Sequence, residues 1–165
     1  MTSESAFVLL GSNLGDRELL VNQACKMIGE RCGEIVAKSR LYESEPWGFQ
    51  SEHWFLNQVV KIETSLSPDA LMRTLLQIEY ELGRDRSVQH KGYVSRPMDL
   101  DILYFGQQII DTQFVIVPHP RLHQRRFTLL PLCDVAPDFV HPIMKKNNLQ
   151  LLDECRDVGE VHILY

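Results

Sequence analysis

The segment "RPMDLDILYFG", residues 96–106, decides the fold. Its apolar run predicts a buried strand over residues 98–105, yet Asp99 and Asp101 stand inside that strand. Alternate side chains of a strand point to the same face, so both carboxylates share a face opposite to the one that packs in the core. Two carboxylates held side by side repel each other unless a cation lies between them. The strand therefore needs a positive partner on its acidic face.

Outward from this strand, the patterns follow the order strand, helix, strand, strand, helix, strand. Strands are predicted over residues 6–10, 34–44, 54–64 and 98–105, and helices over 16–32 and 67–83. This order is typical of the split βαβ, or ferredoxin-like, arrangement. The expected fold class is α+β, with a mainly antiparallel sheet and both helices on one face. A short strand near 108–111 and a short helix near 128–135 should follow.

Composition describes an ordinary globular chain. Its 165 residues are 44% hydrophobic and 24% charged, which fits a single domain over residues 1–165. A net charge of -5 argues against a general nucleic-acid or membrane-surface binder. No apolar run reaches a membrane span, and no signal peptide is evident. The four cysteines fit no zinc spacing, so we expect reduced thiols in a cytoplasmic protein, with a disulfide as the alternative.

Magnesium is the natural cation for the acidic face, since it prefers oxygen ligands from one or two carboxylates and from substrate phosphates. Two basic loops support this. Residues 84–96 carry three Arg and one Lys against one Asp, and residues 119–126 carry three Arg and no acid. Arginine suits phosphate oxygens, and carboxylates beside arginines are typical of phosphoryl transfer from a nucleotide. The alternatives are a solvated acidic edge strand and arginines paired with surface acids.

A second half of the site is suggested by Phe55 and Asn57, which share one face of their strand. A ring beside an amide can stack on a flat heterocycle and hydrogen-bond its edge. Alternatively, Phe55 is a core residue and Asn57 pairs with backbone. No P-loop motif and no protein-kinase motif is present.

Several motifs occur together in one order along the chain. They are "GSNLGDR" (11–17), "SxxYxSxPxG" (39–48), "FLN" (55–57), "IExELGRxR" (78–86), "RPMDLDILYFG" (96–106), "VPHPRL" (117–122), "RRFTLLPL" (125–132) and "AP" (136–137). On these motifs the chain resembles the 6-hydroxymethyl-7,8-dihydropterin pyrophosphokinase family of folate biosynthesis. The resemblance implies a three-layer αβα version of the ferredoxin-like fold. It also implies transfer of the β,γ-pyrophosphoryl group of ATP, as co-substrate, to the dihydropterin hydroxymethyl group, with release of AMP and use of two magnesium ions.

The resemblance also implies a role for each matched residue. The magnesium ligands would be Asp99 and Asp101, which count as catalytic together with Arg84 and Arg96. The nucleotide contacts would be Glu79, Arg84, Arg86, Arg96, His119 and Arg125. The pterin pocket would be Ser44, Trp47, Phe55, Asn57 and Phe127, with the two phenyl rings sandwiching the pterin.

The chain departs from the family pattern at two places. The loop before the Asp strand is longer than usual, which leaves Tyr93 as the candidate replacement for a family Trp, and Pro120 stands where many members carry Tyr. We expect a monomer whose partners are small molecules, and loops 45–53 and 84–97 that close over them. Two other functions stay open: a two-metal nucleotidyltransferase, and a non-catalytic ferredoxin-like module that binds a ligand.

Overall fold

The computed structural model describes residues 2–46, 53–83 and 97–164, and its elements follow the predicted order. The strands are β1 (Glu4–Ser12), β2 (Glu34–Lys38), β3 (Tyr42–Ser44), β4 (Phe55–Thr64), β5 (Asp99–Phe105), β6 (Ile110–Asp111), β7 (Ile116–Val117) and β8 (Val161–Ile163). The helices are α1 (Arg17–Arg31), α2 (Pro68–Glu81), α3 (Arg126–Val135) and α4 (Asn148–Glu154), with a 3₁₀ turn at Leu122–Gln124.

One antiparallel sheet organises the molecule, in the order β5-β1-β4-β3-β8, with β2 also paired to β4. The prediction of a single strand over residues 34–44 is wrong in one respect, because this segment forms two strands. Lys38 lies opposite Val60 and Tyr42 lies opposite Asn57, so three residues of this segment face only two of β4. The ladder breaks at this insertion, and the segment divides into β2 and β3.

Side-chain caps begin the helices where the sequence predicts them. Asp16 accepts a hydrogen bond from the Leu19 amide at 3.2 Å, and Ser67 accepts one from the Ala70 amide at 3.1 Å. These caps satisfy amides that no helical carbonyl reaches. Helix α4 is an element that the sequence analysis missed, although Asn147 and Gln150 form a capping box at its start.

Both faces of the sheet are covered, which confirms the three-layer αβα fold. On the first face, α1 and α2 pack against a core that includes Met98, Leu100 and Ile102 of β5. On the second face, α3 and α4 pack against a core that includes Phe7 and Val59. Asp99 and Asp101 alternate with the first set, so their side chains lie on the second face.

Strand β5 bulges after its acidic half. Ile102 lies opposite Val8 and Tyr104 lies opposite Phe7, so Leu103 is the inserted residue. Leu103 and Tyr104 therefore both reach the second core. The buried Tyr104 hydroxyl donates to Asn148 Oδ1 at 2.7 Å, and burial raises the pKa of the phenol. The acidic face of β5 thus continues directly into a packed core.

Two glycines provide a matched test of the packing. A methyl group on Gly33 would collide with the Glu63 carbonyl oxygen, whereas one on Gly29 within α1 would meet Ile35 at an ordinary 3.6 Å. We expect Gly33→Ala to lower the free energy of unfolding by about 1–3 kcal/mol through overpacking. Gly29→Ala should raise it by roughly 0.5–1 kcal/mol through helix propensity. Urea unfolding of the two variants measures both, and changes of equal sign would contradict this packing.

The buried His141 imidazole makes the free energy of unfolding depend on pH. Its Nδ1 accepts from the Ile143 and Met144 amides at 3.1 and 3.0 Å. Burial, helped by the charge of His123, lowers the pKa of His141 to about 4. Between about pH 6.5, the ordinary pKa of histidine, and the lowered pKa, the imidazole is protonated in the unfolded chain but neutral in the native state. The free energy of unfolding therefore falls as the pH falls. In urea unfolding, we expect the free energy of unfolding of the parent to fall by about 1–2 kcal/mol more between pH 7 and pH 5 than that of His141→Asn. An identical loss in both proteins would contradict this.

Candidate active site

A row of residues across the second face joins the two predicted halves of the site. Asp99 of β5 lies opposite Gly11 of β1, and Gly11 lies opposite Asn57 of β4. Residues directly opposite in an antiparallel pair face the same side. Neighbouring strands are about 4.8 Å apart, so Asp99 and Asn57 are separated by roughly 10 Å across a residue that has no side chain. The structure therefore brings the acidic strand and the amide to one surface.

The amide of Asn57 is held in one orientation. Its Nδ2 donates to Ser44 Oγ at 2.7 Å and makes a longer contact of 3.5 Å with the Tyr42 carbonyl oxygen. A side chain at Gly11 would meet Asn57 Oδ1 at 3.4 Å, so the amide oxygen points toward the gap that glycine leaves. The alternative, in which the Asn57 amide pairs with backbone, does not describe its shortest hydrogen bond, because that bond goes to the Ser44 hydroxyl.

Two half-buried phenyl rings border this surface. Phe55 begins β4 and lies opposite Ser44, on the same face as Asn57. Phe127 is the second residue of α3, and the Arg125 guanidinium carbon lies 5.5 Å from its ring centroid. Aromatic faces beside a fixed acceptor suit a flat, polar-edged ligand.

Basic groups gather at the acidic end. The His119 amide donates to the Leu103 carbonyl oxygen at 2.9 Å, which sets this residue beside β5. Burial, together with the Arg125 charge, lowers the pKa of the imidazole to about 4, although Asp99 acts in the opposite direction. Because His119 Nδ1 accepts from the Arg121 amide at 3.1 Å, the proton of the neutral ring belongs on Nε2, which is a hydrogen-bond donor. The structure thus brings Asp99, His119 and Arg125 together, and the roles that the resemblance implied for them stay predictions.

Glu79 occupies a place that the sequence did not predict. Its carboxylate is only 1% exposed and accepts from the Leu100 amide at 2.7 Å. Leu100 lies between Asp99 and Asp101 on the outermost strand of the sheet, so this bond supports the acidic strand from α2. The nucleotide contact that the resemblance implied for Glu79 stays a prediction.

The remaining predicted residues lie outside the described part of the chain. These are Trp47, Arg84, Arg86 and Arg96, together with Tyr93 and most of the two loops expected to close. Within the described ranges, no group of three or more His, Cys, Asp or Glu side chains could hold a metal ion. Two carboxylates alone fit magnesium, which usually keeps water and substrate phosphates as further ligands.

A contributor that the sequence analysis missed is the segment after α4. A cavity of about 180 Å³ is lined by Ser44 and Phe127 and also by Asp157, Gly159 and Val161. The alternation of apolar residues in "EVHILY" could have predicted β8. No local pattern, however, shows which strand β8 joins.

A sequence model of the 7,8-dihydro-6-hydroxymethylpterin-pyrophosphokinase (HPPK) family matches residues 7–137. The chain belongs to the HPPK family. A 2-amino-4-hydroxy-6-hydroxymethyldihydropteridine pyrophosphokinase of Porphyromonas gingivalis is 42% identical over 144 residues, which is 87% of this chain and 97% of that protein. A Bacillus subtilis protein of the same name is 44% identical over 132 residues, covering 79% of this chain and 77% of that one. Membership of the HPPK family confirms the predicted enzyme class, an ATP-dependent diphosphokinase of folate biosynthesis.

Solved HPPK structures confirm the fold. The wild-type Plasmodium falciparum HPPK-DHPS crystal structure superimposes with a TM-score of 0.71 at 15% identity, over 93% of this chain. This chain spans 44% of that longer protein. Over residues 2–46, 53–83 and 97–164, no helix is both long and apolar enough to cross a membrane.

Proposed function

We propose that the chain transfers the pyrophosphoryl group of ATP to 6-hydroxymethyl-7,8-dihydropterin and releases AMP. The observation that carries this proposal is the row Asp99, Gly11 and Asn57, which puts a carboxylate and an amide on one surface with only a glycine between them. We further propose that residues 1–165 act as one domain and as a cytoplasmic monomer on these small molecules.

At the pterin end, Asn57 Oδ1 accepts hydrogen bonds from the ring N–H groups. Its Nδ2 donates to the Ser44 hydroxyl and also faces the Tyr42 carbonyl oxygen, which can only accept, so this carbonyl favours the observed orientation of the amide. Phe55 and Phe127 stack on the two faces of the ring, and Trp47 belongs to the same pocket. This arrangement holds the hydroxymethyl group toward β5.

At the phosphate end, Asp99 and Asp101 would hold two magnesium ions. These ions, when bound, screen the charge of the phosphates and lower the cost of in-line attack on the β-phosphorus. His119 donates from Nε2 to a phosphate oxygen without needing a positive charge, since its pKa is about 4. Arg125, with Arg84, Arg86 and Arg96, stabilises the charge that grows on the bridging oxygen as AMP departs. Positioning and electrostatics suffice for this reaction class.

The products of the reaction test the proposal. The protein is mixed with MgATP, with and without 6-hydroxymethyl-7,8-dihydropterin, and the nucleotides are separated by chromatography. We expect AMP only when the pterin is present, one per pterin consumed. ADP would indicate ordinary kinase chemistry, free pyrophosphate would indicate a nucleotidyltransferase, and folded protein without turnover would favour a ligand-binding module. Each of these three results contradicts the proposal.

A further inference from the structure

The end of the chain returns to the pocket although it lies beyond the family match, which ends at residue 137. Strand β8 pairs with β3 so that Val161 lies opposite Ser44. We call residues 157–163 the C-terminal strap. The strap lines the cavity of about 180 Å³ together with Ser44 and Phe127.

The first anchor of the strap is the Asp157 carboxylate. Asp157 Oδ2 accepts from the Arg126 amide at 3.0 Å, and its Oδ1 accepts from the Gly159 amide at 2.9 Å. Arg126 is the first residue of α3, and Arg125, at the cap position, makes no side-chain capping bond. A carboxylate there satisfies an open amide and complements the helix dipole. Asp157 therefore fixes the turn that carries Phe127.

The second anchor joins the strap to the other side of the cavity. Glu45 Oε1 accepts from the Glu160 amide at 2.9 Å, and the Glu45 amide donates to the Glu160 carbonyl oxygen at 3.2 Å. The His162 ring stacks on Trp54, with centroids 5.8 Å apart and planes 7° from parallel. Trp54 immediately precedes Phe55. The strap thus contacts the neighbour of each phenyl ring.

We propose that the C-terminal strap sets the separation of Phe55 and Phe127, with Asp157 as its positioning residue, and that it thereby determines the affinity for the pterin ring. The inference rests on the proposed function, because it concerns the same pocket. Two walls that carry stacking rings bind a flat ligand tightly only when their spacing is fixed before binding. In the described structure the strap contacts both walls, through Asp157 on Arg126 and through His162 on Trp54.

Steady-state kinetics of Asp157→Ala test the strap, with Asp138→Ala, at an exposed position, as the matched control. We expect the KM for 6-hydroxymethyl-7,8-dihydropterin to rise about 10-fold in Asp157→Ala, with the KM for MgATP changing less than twofold and with neither KM changed in the control. An unchanged pterin KM, or equal rises of both KM values, would overturn the inference.

A second variant covers the case in which Asp157→Ala does not fold. A methyl group on Gly159 would approach Asp157 Oδ1 at 3.1 Å and Glu45 Oε1 at 3.2 Å, so Gly159→Ala pushes the two anchors apart without removing either. It should raise the same KM for pterin, and an unchanged value would again overturn the inference. An active parent with unaltered variants refutes the strap alone, whereas a parent that forms no AMP refutes the proposed function and the strap with it.

Discussion

Replacing Asp99 or Asp101 by alanine is expected to lower kcat by about 10²–10³-fold while the protein stays folded. Both carboxylates lie on the second face of β5, outside the two apolar cores, and Asp99 lies beside His119. Removing one carboxylate relieves the repulsion between them, so the melting temperature should stay level or rise. Product formation and thermal unfolding of the same preparations measure the two effects.

Asp111→Ala is the matched control for this prediction. Asp111 is an exposed carboxylate on the short strand β6, which pairs with β7. Its removal should leave both kcat and the melting temperature unchanged. A melting temperature well below the parent in Asp99→Ala would instead indicate that the acidic strand is structural.

Removing the Glu79 carboxylate is expected to have the second largest effect. Glu79→Ala leaves the Leu100 amide without this acceptor at the edge of the sheet, which should lower the free energy of unfolding by about 1–3 kcal/mol. Because that amide lies between Asp99 and Asp101, the magnesium concentration at half-maximal rate should rise as well. Urea unfolding and magnesium titration of the activity measure these changes.

The isosteric variant Glu79→Gln separates support of the strand from contact with the nucleotide. Glutamine keeps an acceptor oxygen for the Leu100 amide, so most of the stability and the magnesium response should return. If Glu79 instead contacts the nucleotide, as the resemblance implied, Glu79→Gln should raise the KM for ATP without loss of stability. That result would contradict the supporting role.

Alternation and caps account for the parts of the fold that the sequence predicted well. Side chains alternate along a strand, so the face that buries Met98, Leu100 and Ile102 cannot carry Asp99 and Asp101. The structure confirms that the apolar set packs in one core and that the carboxylates lie on the other face. Ser67 and Asp16 are short-range signals that act within three residues, so they were readable without tertiary information.

What the sequence did not predict depends on contacts between distant residues. In α1 the side chain of Leu19 is 52% exposed whereas Val21 is fully buried, a difference that packing against the sheet decides. The sequence did not predict the position of the strap, because the residues that hold it, Glu45 and Glu160, are 115 positions apart. Glu79 has the character of a surface acid in its helix, and its burial goes with a contact to a distant residue, because its carboxylate accepts from the Leu100 amide.

The measurement that tests the central claim most directly is a count of bound metal ions. Mn²⁺ is used in place of Mg²⁺ and is titrated into the protein in the presence of a non-hydrolysable ATP analogue. Electron paramagnetic resonance measures the free Mn²⁺, from which the number of bound ions follows. We expect two bound ions per chain in the parent and in Asp111→Ala, and weaker or incomplete binding in Asp99→Asn and Asp101→Asn. Two ions bound with unchanged affinity after either substitution at the acidic strand would contradict the account.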